Sequence, residues 1–107
     1  MQGAIHIEGE LDARGLQVAI VAARFNDFVI ASLLKGACDA WTRLGGDAAG
    51  LTIARVPGAF ELPVACKRLA ATGRYAAVVA LGCVIRGDTA HFDYVAGEAA
   101  AGLTRSL

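Results

Sequence analysis

Apolar residues fall in short runs that alternate with longer stretches of helical spacing. Leu16–Ala22 (Leu-Gln-Val-Ala-Ile-Val-Ala), Leu51–Val56 and Ala76–Ile85 are short, apolar and bounded by turn residues, the pattern of buried strands. Between the first two, Ile30, Leu33, Leu34, Ala37, Trp41 and Leu44 recur at helical spacing and Gly45-Gly46 ends the run. Asn26 or Asp27 is the expected cap of that helix, since both side chains accept backbone amide hydrogens. A second helix is predicted from about Phe60 to Gly73, with Pro63 tolerated in its first turn. A third runs from about His91 towards the end, with Phe92, Val95, Ala99 and Leu103 on one face.

Strand alternating with helix predicts an α/β fold with a parallel sheet and crossover helices. The chain's 107 residues allow one domain, residues 1–107. Residues 1–15 read as an N-terminal arm or edge strand, in which Ala4–Glu8 is extended and separated from the main pattern by Gly9–Gly15. The third helix has no following strand to return to, so the pattern predicts a truncated domain.

Composition adds an expectation of self-association. The hydrophobic fraction is 56% with 19% charged residues, against a usual apolar share of about 45–50%. An apolar excess in a small domain points to burial between subunits, with abundant alanine as the alternative source. The formal net charge is zero, and no basic run is present, which argues against nucleic-acid binding. There is no run long enough for a membrane span, and no secretory leader pattern. Cys38, Cys66 and Cys83 match neither a disulfide framework nor a zinc site and suit a reducing cytoplasm. No metal-ligand spacing, P-loop or dinucleotide fingerprint occurs.

Candidate chemistry lies after each strand, where open α/β sheets bind ligands. Phe25 is suited to stack on a flat ligand or to staple the following helix. In Pro57-Gly58-Ala59-Phe60-Glu61-Leu62-Pro63, Glu61 can accept hydrogen bonds from a ligand or favour the helix dipole. Gly82-Cys83-Val84-Ile85-Arg86-Gly87-Asp88-Thr89-Ala90-His91-Phe92 carries the densest set. Amides around Gly87-Asp88-Thr89 at a helix start suit an anion. The His91 imidazole, with an ordinary pKa of about 6.5, is suited to move protons near neutrality. Cys83 is expected to be packed rather than nucleophilic.

These segments resemble the lumazine synthase family. The likeness rests on Ala23-Arg24-Phe25-Asn26, Val56–Pro63 and Leu81–Val95, with Ile7–Ala13 similar to that family's start, in one collinear order. The resemblance implies a three-layer, flavodoxin-like parallel sheet with helices on both faces, the last strand and helices lying beyond this chain. It implies condensation of 5-amino-6-(D-ribitylamino)uracil with 3,4-dihydroxy-2-butanone 4-phosphate, the penultimate step of riboflavin biosynthesis, without metal or organic cofactor. Carried over by motif, Phe25 stacks on the pyrimidine with Asn26 nearby. Ala59, Phe60 and Glu61 hold the ribityl chain and ring, and the backbone of Cys83, Val84 and Ile85 reads the uracil edge. Asp88 and Thr89 border the phosphate, and His91 transfers protons. Also implied are a cytoplasmic homo-oligomer, a pentamer or a sixty-subunit shell, and an aromatic residue and an arginine supplied from the missing portion. This length of chain is accordingly expected to be weakly active or inactive. A non-catalytic lumazine- or flavin-binding or shell-forming homologue is the alternative.

Overall fold

A computed structural model describes residues 3–6, 9, 11–86 and 91–105, and for residues 91–94 the backbone alone. Three parallel strands form one sheet: β1 (Val18–Ala23), β2 (Leu51–Val56) and β3 (Ala77–Leu81). Their spatial order is β2-β1-β3, with Val18 opposite both Leu51 and Ala77. β1 is central because its side chains are small and apolar enough to be covered on both faces. Ala19 to Ala23 are all buried.

β1 sits further along the chain than the apolar run predicts. The Leu16 amide donates to the Ala13 carbonyl in a turn (3.2 Å), while the Arg24 and Phe25 amides extend the ladder to Val56 and Pro57. β3 is correspondingly shorter than the predicted Ala76–Ile85. Its pairing with β1 ends at Ala22 opposite Leu81, and residues 82–86 leave the sheet. Residues 4–6, in the expected arm, take no part in the sheet.

Helix α1 (Asp27–Arg43) joins β1 to β2, and α2 (Leu62–Ala71) joins β2 to β3. These crossovers run in opposite directions along the sheet, so right-handed connections put α1 and α2 on opposite faces. Val21 packs with Ala59, Leu62, Cys66 and Ala99 on the α2 face, where α3 (His91–Arg105) also lies. Ile20 points the other way, toward the α1 face.

On α1, Ile30 and Trp41 are buried, and the indole Nε1–H donates to the Asp47 carbonyl at 2.8 Å. Leu33 and Leu44, expected on the buried face, are 43% and 38% exposed. The predicted glycine stop holds: Gly45 takes a left-handed φ of 89° just past the helix end.

Asn26 precedes α1, but its side chain makes no capping hydrogen bond. Its backbone is left-handed (φ 62°, ψ 50°), whereas side-chain capping is made from an extended cap residue. The Asn26 carbonyl still accepts from the Val29 and Ile30 amides. The side chain is thereby free for another partner.

Candidate functional site

The carboxyl ends of all three strands open into one cavity of about 490 Å³. That volume is within the range of small-molecule sites, about 300–1,000 Å³. Phe25 and Asn26 reach it from the end of β1, Pro57 to Glu61 from the end of β2, and Cys83 to Ile85 from the end of β3. Val95 of α3 closes part of the wall.

Each segment is held by an identifiable contact. The Arg24 and Phe25 amides donate to the Val56 and Pro57 carbonyls at 2.7 and 2.8 Å, so the β1 and β2 exits are fixed to each other. A 3₁₀ turn, Ala59–Glu61, leads directly into α2. There the Gly58 amide donates to Glu61 Oε2 at 2.9 Å, and the Glu61 amide returns a bond to the Gly58 carbonyl at 3.2 Å. This reciprocal pair satisfies amides that a helix start leaves without partners. One carboxylate oxygen of Glu61 is thus committed to the backbone, while the residue remains exposed on the cavity wall.

Gly82 packs closely against that turn and the start of α2. A Cβ there would lie 2.8 Å from Leu62 Cδ1 and 3.4 Å from Ala59 Cβ. The missing side chain lets residues 83–85 run against the turn and face the cavity. Across the mouth, the Asn26 carboxamide Nδ2 donates to the Cys83 carbonyl at 3.3 Å.

Apolar groups dominate the rim. Phe25 is 66% exposed, Phe60 57% and Ile85 63%, which is unusual for large apolar side chains gathered at one place. Phe25 lines the cavity with its ring largely exposed. The structure brings together Phe25, Asn26, Ala59, Phe60, Glu61, Cys83, Val84 and Ile85 of the expected site. Asp88 and Thr89 lie outside the described residues, as does the side chain of His91. The backbone of His91 opens α3. Sequence reading did not assign Pro57, Gly58 or Val95 to the site, although Val95 lies one helical turn beyond His91 on the expected apolar face.

Two other cavities are less suited to a polar organic ligand. One of about 330 Å³ between α2, the start of β3 and α3 is lined mainly by alanines with Cys66, Tyr75, Val78 and Leu103. Burial pushes the Cys66 thiol pKa up and keeps it protonated. The other, about 450 Å³, is a shallow region among Arg24, Asp27 and Arg55, where Arg55 already pairs with Asp27 at 3.0 Å. Among the described residues no three His, Cys, Asp or Glu side chains are grouped to hold a metal ion. None of the described helices is long and apolar enough to cross a membrane.

Comparison with known proteins agrees with the geometry. Residues 15–106 match the family model of 6,7-dimethyl-8-ribityllumazine synthase. A protein of that name from Nitratidesulfovibrio vulgaris strain DP4 is 56% identical over 100 residues, covering 94% of this chain and 64% of the relative. Another, from Desulfovibrio desulfuricans, is 52% identical over 101 residues, covering 94% and 65%. A third, from the Miyazaki F strain of N. vulgaris, is 55% identical over 97 residues, covering 91% and 62%. The chain thus spans slightly less than two thirds of the length of these curated relatives. On the family model and on a three-strand parallel sheet whose matched motifs meet at one cavity, the chain belongs to the 6,7-dimethyl-8-ribityllumazine synthase family.

Proposed function

We propose that the protein carrying this chain is a lumazine-forming transferase. It condenses 5-amino-6-(D-ribitylamino)uracil with 3,4-dihydroxy-2-butanone 4-phosphate to give 6,7-dimethyl-8-ribityllumazine. The observation that carries this reading is the meeting of an aromatic ring, a carboxylate and a strip of open backbone at one cavity: Phe25, Glu61 and Cys83–Ile85.

The pyrimidine stacks on Phe25, whose exposed face suits a flat π-system. Backbone amides and carbonyls of Cys83, Val84 and Ile85 pair with the uracil edge. The ribityl hydroxyls are received by the Ala59–Glu61 turn, where one oxygen of Glu61 is held by Gly58 and the other is available as an acceptor. Asp88 and Thr89 border the phosphate, and His91, at the start of α3, moves protons.

The chemistry needs no electron acceptor. The 5-amino group adds to the ketone and water leaves as the imine forms. Loss of the proton from the neighbouring carbinol carbon gives an enamine that expels phosphate with its C–O electron pair. The enol left behind becomes a ketone, on which the ribitylamino nitrogen closes the ring with loss of a second water. Holding two reactants in register supplies most of the acceleration, since effective molarities reach ~10⁵–10⁸ M in well-oriented systems. Proton transfer by one imidazole adds about 10²–10⁴-fold.

A homo-oligomer, pentamer or larger shell, is part of the same proposal. Ile5, Leu11 and Phe28 are 91%, 89% and 90% exposed, which supports cover by a neighbouring copy. The N-terminal arm, residues 1–15, is the segment proposed to reach that neighbour, and the cytoplasm is the proposed location. Mixing the two substrates with the protein and following lumazine fluorescence with phosphate release tests the activity. His91→Gln is expected to slow turnover by about 10²–10⁴-fold while product still binds. Absence of lumazine from the native protein would refute the proposal.

A further inference from the structure

We propose that Asn26 is a positioning residue: its carboxamide tethers the Cys83 carbonyl and so sets the place of the Cys83–Ile85 backbone along the cavity. The inference rests on the reading that this backbone pairs with the pyrimidine. It assigns Asn26 a role different from direct contact with substrate.

Three observations converge on it. Asn26 is the one non-glycine residue with positive φ among the described residues, at 62°. Asparagine tolerates the left-handed region better than most residues, so the choice of side chain there fits the turn from β1 into α1. That turn takes its carboxamide away from capping α1. Second, the carboxamide Nδ2–H instead reaches a carbonyl 57 residues along the chain, at 3.3 Å in a partly buried setting. Third, the receiving segment needs a tether. The β1–β3 ladder ends at Leu81, and beyond Gly82 no backbone hydrogen bond among the described residues holds Cys83–Ile85 to a neighbouring element. A side chain fixed at the central strand's exit thereby holds the segment that leaves the ladder. Cys83, Val84 and Ile85 all line the cavity.

Two substitutions separate the tether from the backbone turn. Asn26→Gly keeps a left-handed entry to α1 and removes the donor. Asn26→Asp keeps the shape and replaces the donor with a carboxylate facing a carbonyl. In the ligand-free protein the backbone amide NMR order parameters of Val84 and Ile85 should fall in both variants, with those of α1 unchanged. Binding of the probe 6,7-dimethyl-8-ribityllumazine should weaken by about three- to tenfold, the worth of one hydrogen bond. In turnover, KM for the pyrimidine should rise while KM for the phosphorylated ketone stays, a split that general loss of stability does not produce. Unchanged order parameters at residues 84–85, or unchanged probe binding by both variants, overturns the proposal. Failure of the unaltered protein to bind the probe refutes the substrate reading instead. The order parameters alone then decide the tether: lower values uphold it, and unchanged values overturn it.

Discussion

Replacing Gly82 with alanine tests the packing that brings the β3 exit against the site. The new methyl would lie 2.8 Å from Leu62 Cδ1 and 3.4 Å from Ala59 Cβ. Carbon atoms in good contact sit about 3.5–4.0 Å apart, so the first contact must open by roughly 1 Å. Leu62 is 3% exposed and packed with Val21, Cys66 and Ala99, so it has no open space to turn into. Overpacking of this kind costs about 1–3 kcal/mol. Alanine restricts the unfolded chain and returns about 0.4–1 kcal/mol, leaving a net loss of about 1–2 kcal/mol. With a urea dependence of about 1–3 kcal/mol per molar, the unfolding midpoint falls by roughly 0.3–2 M. Leu62→Ala alone removes buried contacts and costs about 2–5 kcal/mol. In the double variant the methyl occupies the vacated space, so the combined loss should fall short of the sum by about 1 kcal/mol. Equilibrium urea unfolding of the four proteins measures this. A Gly82→Ala protein as stable as its parent, or strictly additive losses, would refute the reasoning.

Glu61→Ala deprives the Gly58 amide of its acceptor, and should lower stability by about 0.5–2 kcal/mol in urea unfolding, with Glu61→Gln retaining most of it. Cys66, buried and with its thiol pKa pushed up, should be the last cysteine alkylated by iodoacetamide in the folded protein, becoming reactive only on unfolding. Mass mapping of the labelled sites reads this directly, and early labelling of Cys66 would contradict the packing. The Arg14 guanidinium, through its side-chain hydrogen bond, holds the Asp12 carboxyl below its ordinary value of 3.8. Its folded pKa being depressed, the pairing stabilises the turn above the unfolded-chain value and is lost as pH falls through the folded one. The Ala13 amide, bonded to the Leu44 carbonyl, should therefore titrate below pH 3.8 by NMR. Raising salt to ~1 M should move that midpoint upward, because the pair is exposed.

Strands and helices were legible because their signals are local. β2 follows its apolar run residue for residue, and α1 stops at Gly45 as its composition requires. The ends of β1 and β3 were less legible, since a ladder stops where the partner turns away. Ala22 opposite Leu81 is a fact about two segments at once. Asn26 shows the same limit. Its residue type signals a cap, but the left-handed backbone sends the carboxamide to Cys83, which no local pattern reveals. Glu61 allowed either a ligand contact or a helix-start role. The structure gives it the second through Gly58 and leaves it on the cavity wall for the first. The motifs after the three strands each looked ambiguous alone, and it is their meeting at one rim that gives them a common use.

Amide chemical-shift mapping during titration with 6,7-dimethyl-8-ribityllumazine tests that common use most directly. Phe25, Gly58 to Glu61 and Cys83 to Ile85 should all shift along one saturation curve with a single Kd. Shifts confined to the Cys66–Leu103 cavity or the Arg24–Arg55 region, or separate curves for the three strand ends, would contradict it.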